Sequence, residues 1–459
     1  MNVDRVARSL SLPLPEDILK RKWAGDLEGA VKAIDLRLAG ELPQMLRDRL
    51  VCEKERIRRL PTQYPWNREE AIERFRSLVP DITEEEFDAF EMEGRIDFIY
   101  IKGEKRYFVR FHRTLVKTIP ALMVRAGRSA APDSAWLDPM IAEIKAKGRL
   151  KKHIVVETSL SLDEKLFIPG EYLAHIPFPA LCAQQSNIKL ESGDPDGINV
   201  ETAPARCAYW KRDMDKWSDF KLRYSYDSEI IYADPLHAPA PDKPLYPAAL
   251  PVEPADLAED APFIRFTPYL RALAQELAGD ETEPVRKAWK FYEFVTKQVK
   301  YSFMRDYFQI DDLGEYCAVN LKGDCGLQAL LFINLCRIAG IPARWQSGMS
   351  LEDDYSGSHD WAQFWLEGWG WLFCDPSFGG GAHRVGATER HAFYFGNLDP
   401  TRMVANRTYQ APLTPAKQQL PVDPYDNQSG ELERTGAALP FTGRDLDDDP
   451  TLISWDTID

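Results

Sequence analysis

The chain has 459 residues, of which 44% are hydrophobic and 28% charged, and its formal net charge is −15. The length fits roughly three domains, and the composition excludes a wholly disordered, collagen-like or fibrous chain. The negative balance argues against a general nucleic-acid binder, no apolar run approaches the about 18 residues of a transmembrane helix, and Met1–Arg8 holds no apolar signal core, so a cytoplasmic location is expected.

Residues 1–150 predict a helical N-terminal domain with a β-hairpin. Pro15 opens one helix, with Glu16 and Asp17 in the first turn where the helix dipole favours acids. Ala71, Ile72, Phe75 and Leu78 recur at helical spacing in a second. Thr83 caps a third, with Glu84, Glu85 and Glu86 after it. Two short apolar runs, Ile96–Ile101 and Tyr107–Phe111, flank Lys102-Gly103-Glu104, which is a hairpin signal. The basic cluster Arg56–Arg59 reads as a solvated helix face.

Residues 151–235 alternate apolar and polar positions between turn residues, which predicts an antiparallel β-sandwich-like domain. Nine prolines between Pro235 and Pro268 exclude helix and central strand, so 236–268 reads as an extended connector. A core over 269–400 follows, with a helix starting at Pro284. Beyond 400 the chain is rich in Pro, Gln and Asp. It predicts an extended acidic C-terminal tail over 401–459, with ten acids against Arg434 and Arg444 from residue 421 on. Residues 1–150, by contrast, hold 28 Lys/Arg against 25 Asp/Glu.

The seven cysteines are Cys52, Cys182, Cys207, Cys317, Cys325, Cys336 and Cys374. The number is odd, the set is scattered, and no Cys-x-x-Cys pair occurs. A disulfide framework and a structural zinc site are therefore not expected, and mostly free thiols are. One of them stands out. Gly323-Asp324 is a turn and cap signal, and Leu327, Leu330, Leu331, Leu335 and Ile338 mark an apolar helix that Gly340 ends and Pro342 keeps from resuming. Cys325 falls in its first turn, where the positive dipole end favours a thiolate and backbone N–H groups can donate to an oxyanion.

Downstream, Ser358–Leu366 alternates as a strand, and Trp369–Pro376 is a second strand joined through Glu367-Gly368. Such a pair can bring His359 and Asp375 together at one sheet end. An Asp–His pair fixes the imidazole tautomer, and the imidazole can then deprotonate a thiol. Asp360 competes with Asp375 for that role, but strand alternation points it away from His359. Cys336 reads as core, and Cys374 as facing away from the site. His383 and His391 lack a third ligand at motif spacing, so no metal is expected. The cluster of Trp345, Trp361, Trp365, Trp369 and Trp371 reads as core or cleft wall, with Trp361 best placed to shield the site from water.

The ordered set Gly323-Asp324-Cys325-Gly326, a helix ending Ala339-Gly340-Ile341-Pro342-Ala343-Arg344, then Ser358-His359-Asp360-Trp361 and Gly370-Trp371 to Asp375-Pro376 resembles the transglutaminase-like superfamily core. The stretch Phe395–Asn406 is similar to bacterial members with an added N-terminal domain. The resemblance implies an α+β, papain-like fold over about 284–400. It makes Cys325 the nucleophile, His359 the general base and acid, and Asp375 the orienting carboxylate. Transamidating members add an upstream aromatic at the oxyanion. Trp289 reads as core here, and Asn320 and Tyr316 are the positional candidates. Trp361, Asn320 and Gly326 are the substrate-cleft candidates. Gln363 departs from the Glu that many members carry there. The resemblance implies no cofactor and a peptide or protein substrate. It leaves three readings open: a thiol hydrolase acting on peptide or isopeptide amides, a protein-glutamine transamidase, and a non-catalytic binding protein whose N-terminal domains hold a protein partner. A peptide N-glycanase fits poorly without paired Cys-x-x-Cys motifs, and no EF-hand loop supports calcium activation.

Overall fold

The computed structural model describes residues 3–128, 135–247, 250–352, 356–436 and 445–458. The chain divides into two compact units.

The first unit comprises Met1–Asp133 with the later segments Tyr301–Asp311 and Lys322–Asp324. Its helices include Glu16–Trp23, Leu27–Leu38, Gln44–Gln63, Arg68–Arg76 and Glu84–Met92. Asn67 with Glu70, and Thr83 with Glu86, form reciprocal capping boxes at two of the starts; each cap contributes about 1 kcal/mol. The apolar faces meet in a core that includes Ile34, Leu60, Phe75, Phe87 and Phe111. The strands Phe98–Ile101 and Glu104–Tyr107 pair antiparallel across Lys102 and Gly103, both at positive φ. Such a turn needs a glycine at one of these positions at least.

Two expectations fail in this unit. The cluster Arg56–Arg59 is not a solvated face: Arg56 and Arg59 are buried, and only Arg58 is exposed. Arg56 bonds Glu53 at 2.8 Å and Asp311 at 2.7 Å, and Arg49 bonds Glu53 at 2.7 Å. Buried charges are tolerated when paired. The segment Tyr301–Asp311, expected in the later core, instead completes this unit. Gln309 donates to the Arg56 carbonyl at 2.7 Å, and the Asp306 N–H donates to Gln63 at 2.9 Å.

The second unit comprises Ser134–Lys300, Asp312–Leu321 and Cys325–Asp459. The helix Leu137–Lys147 buries Leu137, Ile141 and Ile144 and packs on the strand that follows it, so the boundary near 150 moves back to 133. The sandwich pairs two antiparallel sheets. One orders the strands Glu431–Arg434, Gly170–Pro177, Cys207–Met214 and Gly197–Ile198. The other orders Leu446–Asp448, Arg149–Leu162, Phe220–Ile231 and Gln185–Gly193, with Thr451–Thr457 also on Arg149–Leu162. The C-terminal residues are therefore no extended tail. Leu432 sits opposite Ala174, and Trp455 opposite Ile154. Their acids are acceptors for the fold: buried Glu431 takes the N–H groups of Val422 and Asp423.

A third sheet orders Phe395–Gly396, Gly370–Cys374, Ser356–Leu366, Ala343–Leu351 and Arg402–Asn406, all antiparallel. Met349, Leu351, Met403 and Ala405 of this sheet join one core with Val156, Trp210 and Tyr224 of the sandwich. On the third sheet packs the helix Cys325–Ile338, with Pro284–Gln298, Leu313–Asn320 and Pro376–Arg384 around it. Every residue from Gly326 to Arg337 is buried, Gln328, Asn334 and Arg337 included, so this helix is buried all round rather than along one stripe. Residues 236–268 hold one 3-10 helix, Pro254–Leu257, and cover the Gly370–Cys374 strand, where Trp371 Nε1 donates to the Leu250 carbonyl at 2.8 Å. Among the described residues, no helix is long and apolar enough to cross a membrane.

Candidate active site

His359 lies on the central strand Ser356–Leu366, opposite Gly348 of the neighbouring strand. Gly348 is required there. A Cβ would meet the Met403 carbonyl oxygen at 2.0 Å, where the third strand, Arg402–Asn406, presses in at a bulge. Asp375 directly follows the strand Gly370–Cys374 and caps the helix Pro376–Arg384, its Oδ1 accepting the Phe378 N–H at 2.9 Å. Its Oδ2 accepts His359 Nε2 at 2.7 Å. With Nε2 donating to a carboxylate, Nδ1 is the basic edge of the ring. The ring is held between Trp361, stacked at 5.9 Å, and the edge of Phe378 at 4.9 Å. Trp361 is fully buried and is itself fixed by Gln346, which accepts its Nε1–H at 2.8 Å.

A cation lies behind this pair. Arg402 approaches Asp375 Oδ2 at 3.4 Å and Asp399 Oδ2 at 3.0 Å, donates to Ser350 Oγ at 2.6 Å, and lies over the Phe378 ring at 4.0 Å. Burial alone would raise the Asp375 pKa, but His359, Arg402 and the Phe378 N–H hold it below the usual range. Burial pushes His359 down; Asp375 opposes this and Arg402 adds to it. The pair is thus a carboxylate and a neutral imidazole at neutral pH, the form a general base needs.

Cys325 is the first residue of the helix Cys325–Ile338 and is half-buried. Its Sγ donates to Asp360 Oδ2 at 3.2 Å. Asp360, expected to point away from His359, lies against this thiol. Buried Gly326 follows in the helix. Asn320 is exposed at the end of Leu313–Asn320 and donates back to the Tyr316 carbonyl at 2.8 Å, a helix-end contact within its own turn. Trp289 packs edge-on against Phe395 and His391, as a core residue does.

Burial holds five of the other six thiols protonated. Burial pushes Cys52 up to about 11, Cys182 and Cys207 up to about 12, and Cys336 and Cys374 well above the usual range. His383 and His391 do approach, with ring centres 5.7 Å apart, but His391 Nε2 pairs with Thr296 Oγ1 at 2.9 Å. Burial, with His383 beside it, pushes His391 down to about 4. Among the described residues, no cluster of three or more His, Cys, Asp or Glu side chains is placed to hold a metal ion.

Comparison with known proteins places the centre of this arrangement. Residues 271–376 match the model of the transglutaminase-like superfamily. This stretch is a transglutaminase-like core. It spans Cys325, His359 and Asp375. Among solved structures, the chain is similar to a candidate cysteine protease from Cytophaga hutchinsonii, with 14% identity over 68% of this chain and 90% of that one and a TM-score of 0.37. It is also similar to the periplasmic domain of TgpA from Pseudomonas aeruginosa, with 17% identity over 56% of this chain and 94% of that one and a TM-score of 0.28. A search of curated proteins gives no match. The transglutaminase-like core ends before Arg402 and Gln428, the two site residues that sequence reasoning missed. Arg402 falls inside the Phe395–Asn406 stretch singled out above, but nothing there marks it for the site, and Gln428 carried no local signal. Arg402 lies two residues past the boundary expected at 400, and Gln428 lies in what read as tail.

Proposed function

We propose that this protein is a thiol hydrolase acting through Cys325, His359 and Asp375 on peptide or isopeptide amides. The observation that carries this reading is the buried His359–Asp375 pair, with its basic Nδ1 edge, on the strand packed against the helix that Cys325 begins. His359 takes the Cys325 proton as sulfur attacks the amide carbonyl carbon. The helix N-terminus favours the oxyanion that forms. The C–N bond then breaks, the amine leaves with the proton from His359, and a thioester remains. Water, deprotonated by His359, adds to the thioester; the acid departs and the thiol is restored. Asp375 holds the ring and offsets its charge while it is protonated.

The test uses the full chain with a glutamine-containing peptide and a labelled primary amine. Hydrolysis without incorporation of the amine is expected, read as a new amine terminus where a backbone amide is cut or as ammonia where the glutamine amide is, and Cys325→Ala abolishes it. Incorporation would replace hydrolysis with transamidation on the same three residues. Equal turnover by Cys325→Ala would remove the enzyme reading.

A further inference from the structure

The Cys325 thiol has a carboxylate partner that the mechanism above leaves unused. Asp360, 1% exposed, accepts its S–H at 3.2 Å on one oxygen. On the other it accepts Gln428 Nε2. The same Gln428 nitrogen donates to the His359 carbonyl at 3.1 Å. Gln428 therefore grips two consecutive residues of the central strand, the proposed base and the acid beside the thiol.

The segment that delivers Gln428 is built for the purpose. Asp423 Oδ2 accepts the Gln428 and Ser429 N–H groups at 2.8 and 2.7 Å, and Oδ1 accepts the Tyr425 N–H at 2.7 Å. Asp426 anchors the turn by accepting Trp345 Nε1 at 2.7 Å and Ser347 Oγ at 2.9 Å. Ser429 Oγ lies 3.2 Å from Ser358 Oγ, next to His359.

A buried carboxylate at hydrogen-bond distance from sulfur favours S–H over S⁻, because two anions so close in a poorly screened site repel. Among the described residues, charged or titratable groups around this site include His359 on the same strand, Asp375 after the next strand, Arg402 with Asp399, Tyr394 and Glu352 near it, Asp324 directly before Cys325 in the chain, Asp423 and Asp426 in the C-terminal segment, and Asp448 near Ser429. Arg402 is paired with Asp375 and Asp399.

We propose that Asp360 is a positioning residue that holds the Cys325 thiol protonated and oriented at rest, and that Gln428 anchors Asp360 for this role. The inference rests on Cys325 being the nucleophile. Attack then requires the S–H to turn from Asp360 to the His359 ring, so the thiolate forms during the reaction and does not stand ready before it.

The test is the rate of iodoacetamide alkylation of Cys325 in the full chain against pH, read on the Cys325 peptide by mass spectrometry. Asp360→Asn moves the midpoint about one pH unit towards acid, roughly a tenfold gain in rate below both midpoints. Gln428→Ala moves it in the same direction by less, and adds nothing in the Asp360→Asn background because it acts through Asp360. An unmoved or alkaline-shifted midpoint in Asp360→Asn overturns the proposal, as does full additivity of the two variants. Should Asp360→Asn not fold, the Gln428→Ala profile and the infrared S–H band decide. A band present at neutral pH and lost in Cys325→Ser supports the proposal, and its absence overturns it. A shifted midpoint together with turnover by Cys325→Ala would leave the Asp360 contact standing and remove the catalytic reading instead.

Discussion

Each of the two units buries a network of charges, and the two networks differ in what they leave over. In the first unit, Glu53 is enclosed by Arg49, Arg56 and Lys22, with bonds of 2.7, 2.8 and 2.6 Å. Burial would raise its pKa, yet Arg56, Lys22 and Arg49 pull it down to about 2. These cations hold Glu53 as a carboxylate well below neutral pH. In the second unit, Arg402 and two carboxylates surround an imidazole that stays neutral and keeps one nitrogen as a base. Buried charge by itself is therefore a poor marker of function. A buried titratable group that the network holds in its reactive form is a better one.

The largest effect expected from this contrast is on catalysis. Asp375→Asn removes the charge that fixes the His359 tautomer, and turnover should fall by on the order of 10³- to 10⁴-fold while the fold persists. A rate within tenfold of the native enzyme would show that the His359–Asp375 pair is structural, like the Glu53 cluster.

The reciprocal experiment is Glu53→Gln. It removes the carboxylate that buried Arg49 and Arg56 and half-buried Lys22 share, leaving Asp311 to the two arginines, and should cost about 3–5 kcal/mol, read from the urea midpoint of the first unit. The activity per folded molecule should not change. A loss of turnover at constant fold would break the distinction from the other side.

The pH windows of the two regions also run in opposite directions. The folded pKa of Glu53 is lowered, so its contribution is complete above the ordinary carboxylate range and is lost as pH falls towards about 2. Asp423 is raised to about 7, chiefly by burial and then by the nearby Glu431. Its contribution is complete in acid and fades as pH rises through about 7. Amide exchange of residues 423–429, corrected for intrinsic rates, should therefore quicken as pH rises from the ordinary carboxylate range to about 7 and level off above it, and Asp423→Asn should remove that dependence. This is the smallest of the expected effects. Exchange independent of pH in the native chain would show that the segment is held by other means.

Much of the site was legible because its parts are local. A turn, a thiol and an apolar helix follow one another between Gly323 and Ile338, and a strand pair with a short connection brings Asp375 to His359. The helices of the first unit were legible for the same reason, since Asn67 and Thr83 cap within three residues. The misreadings have one cause as well. Arg56 reads as surface because Asp311, its partner, is 255 residues away. The C-terminal strands read as tail because Glu431–Arg434 is only four residues long and its acids are acceptors for a neighbouring loop.

The amino-acid sequence alone thus pointed to the three residues proposed for the site and to the elements that carry them, since capping, periodicity and short connections act within a few residues. The tertiary structure decided which charges surround them. Arg402 behind Asp375, and Gln428 on Asp360, meet their partners across 27 and 68 residues. Such contacts come from the packing of whole strands and leave no period or spacing in the chain.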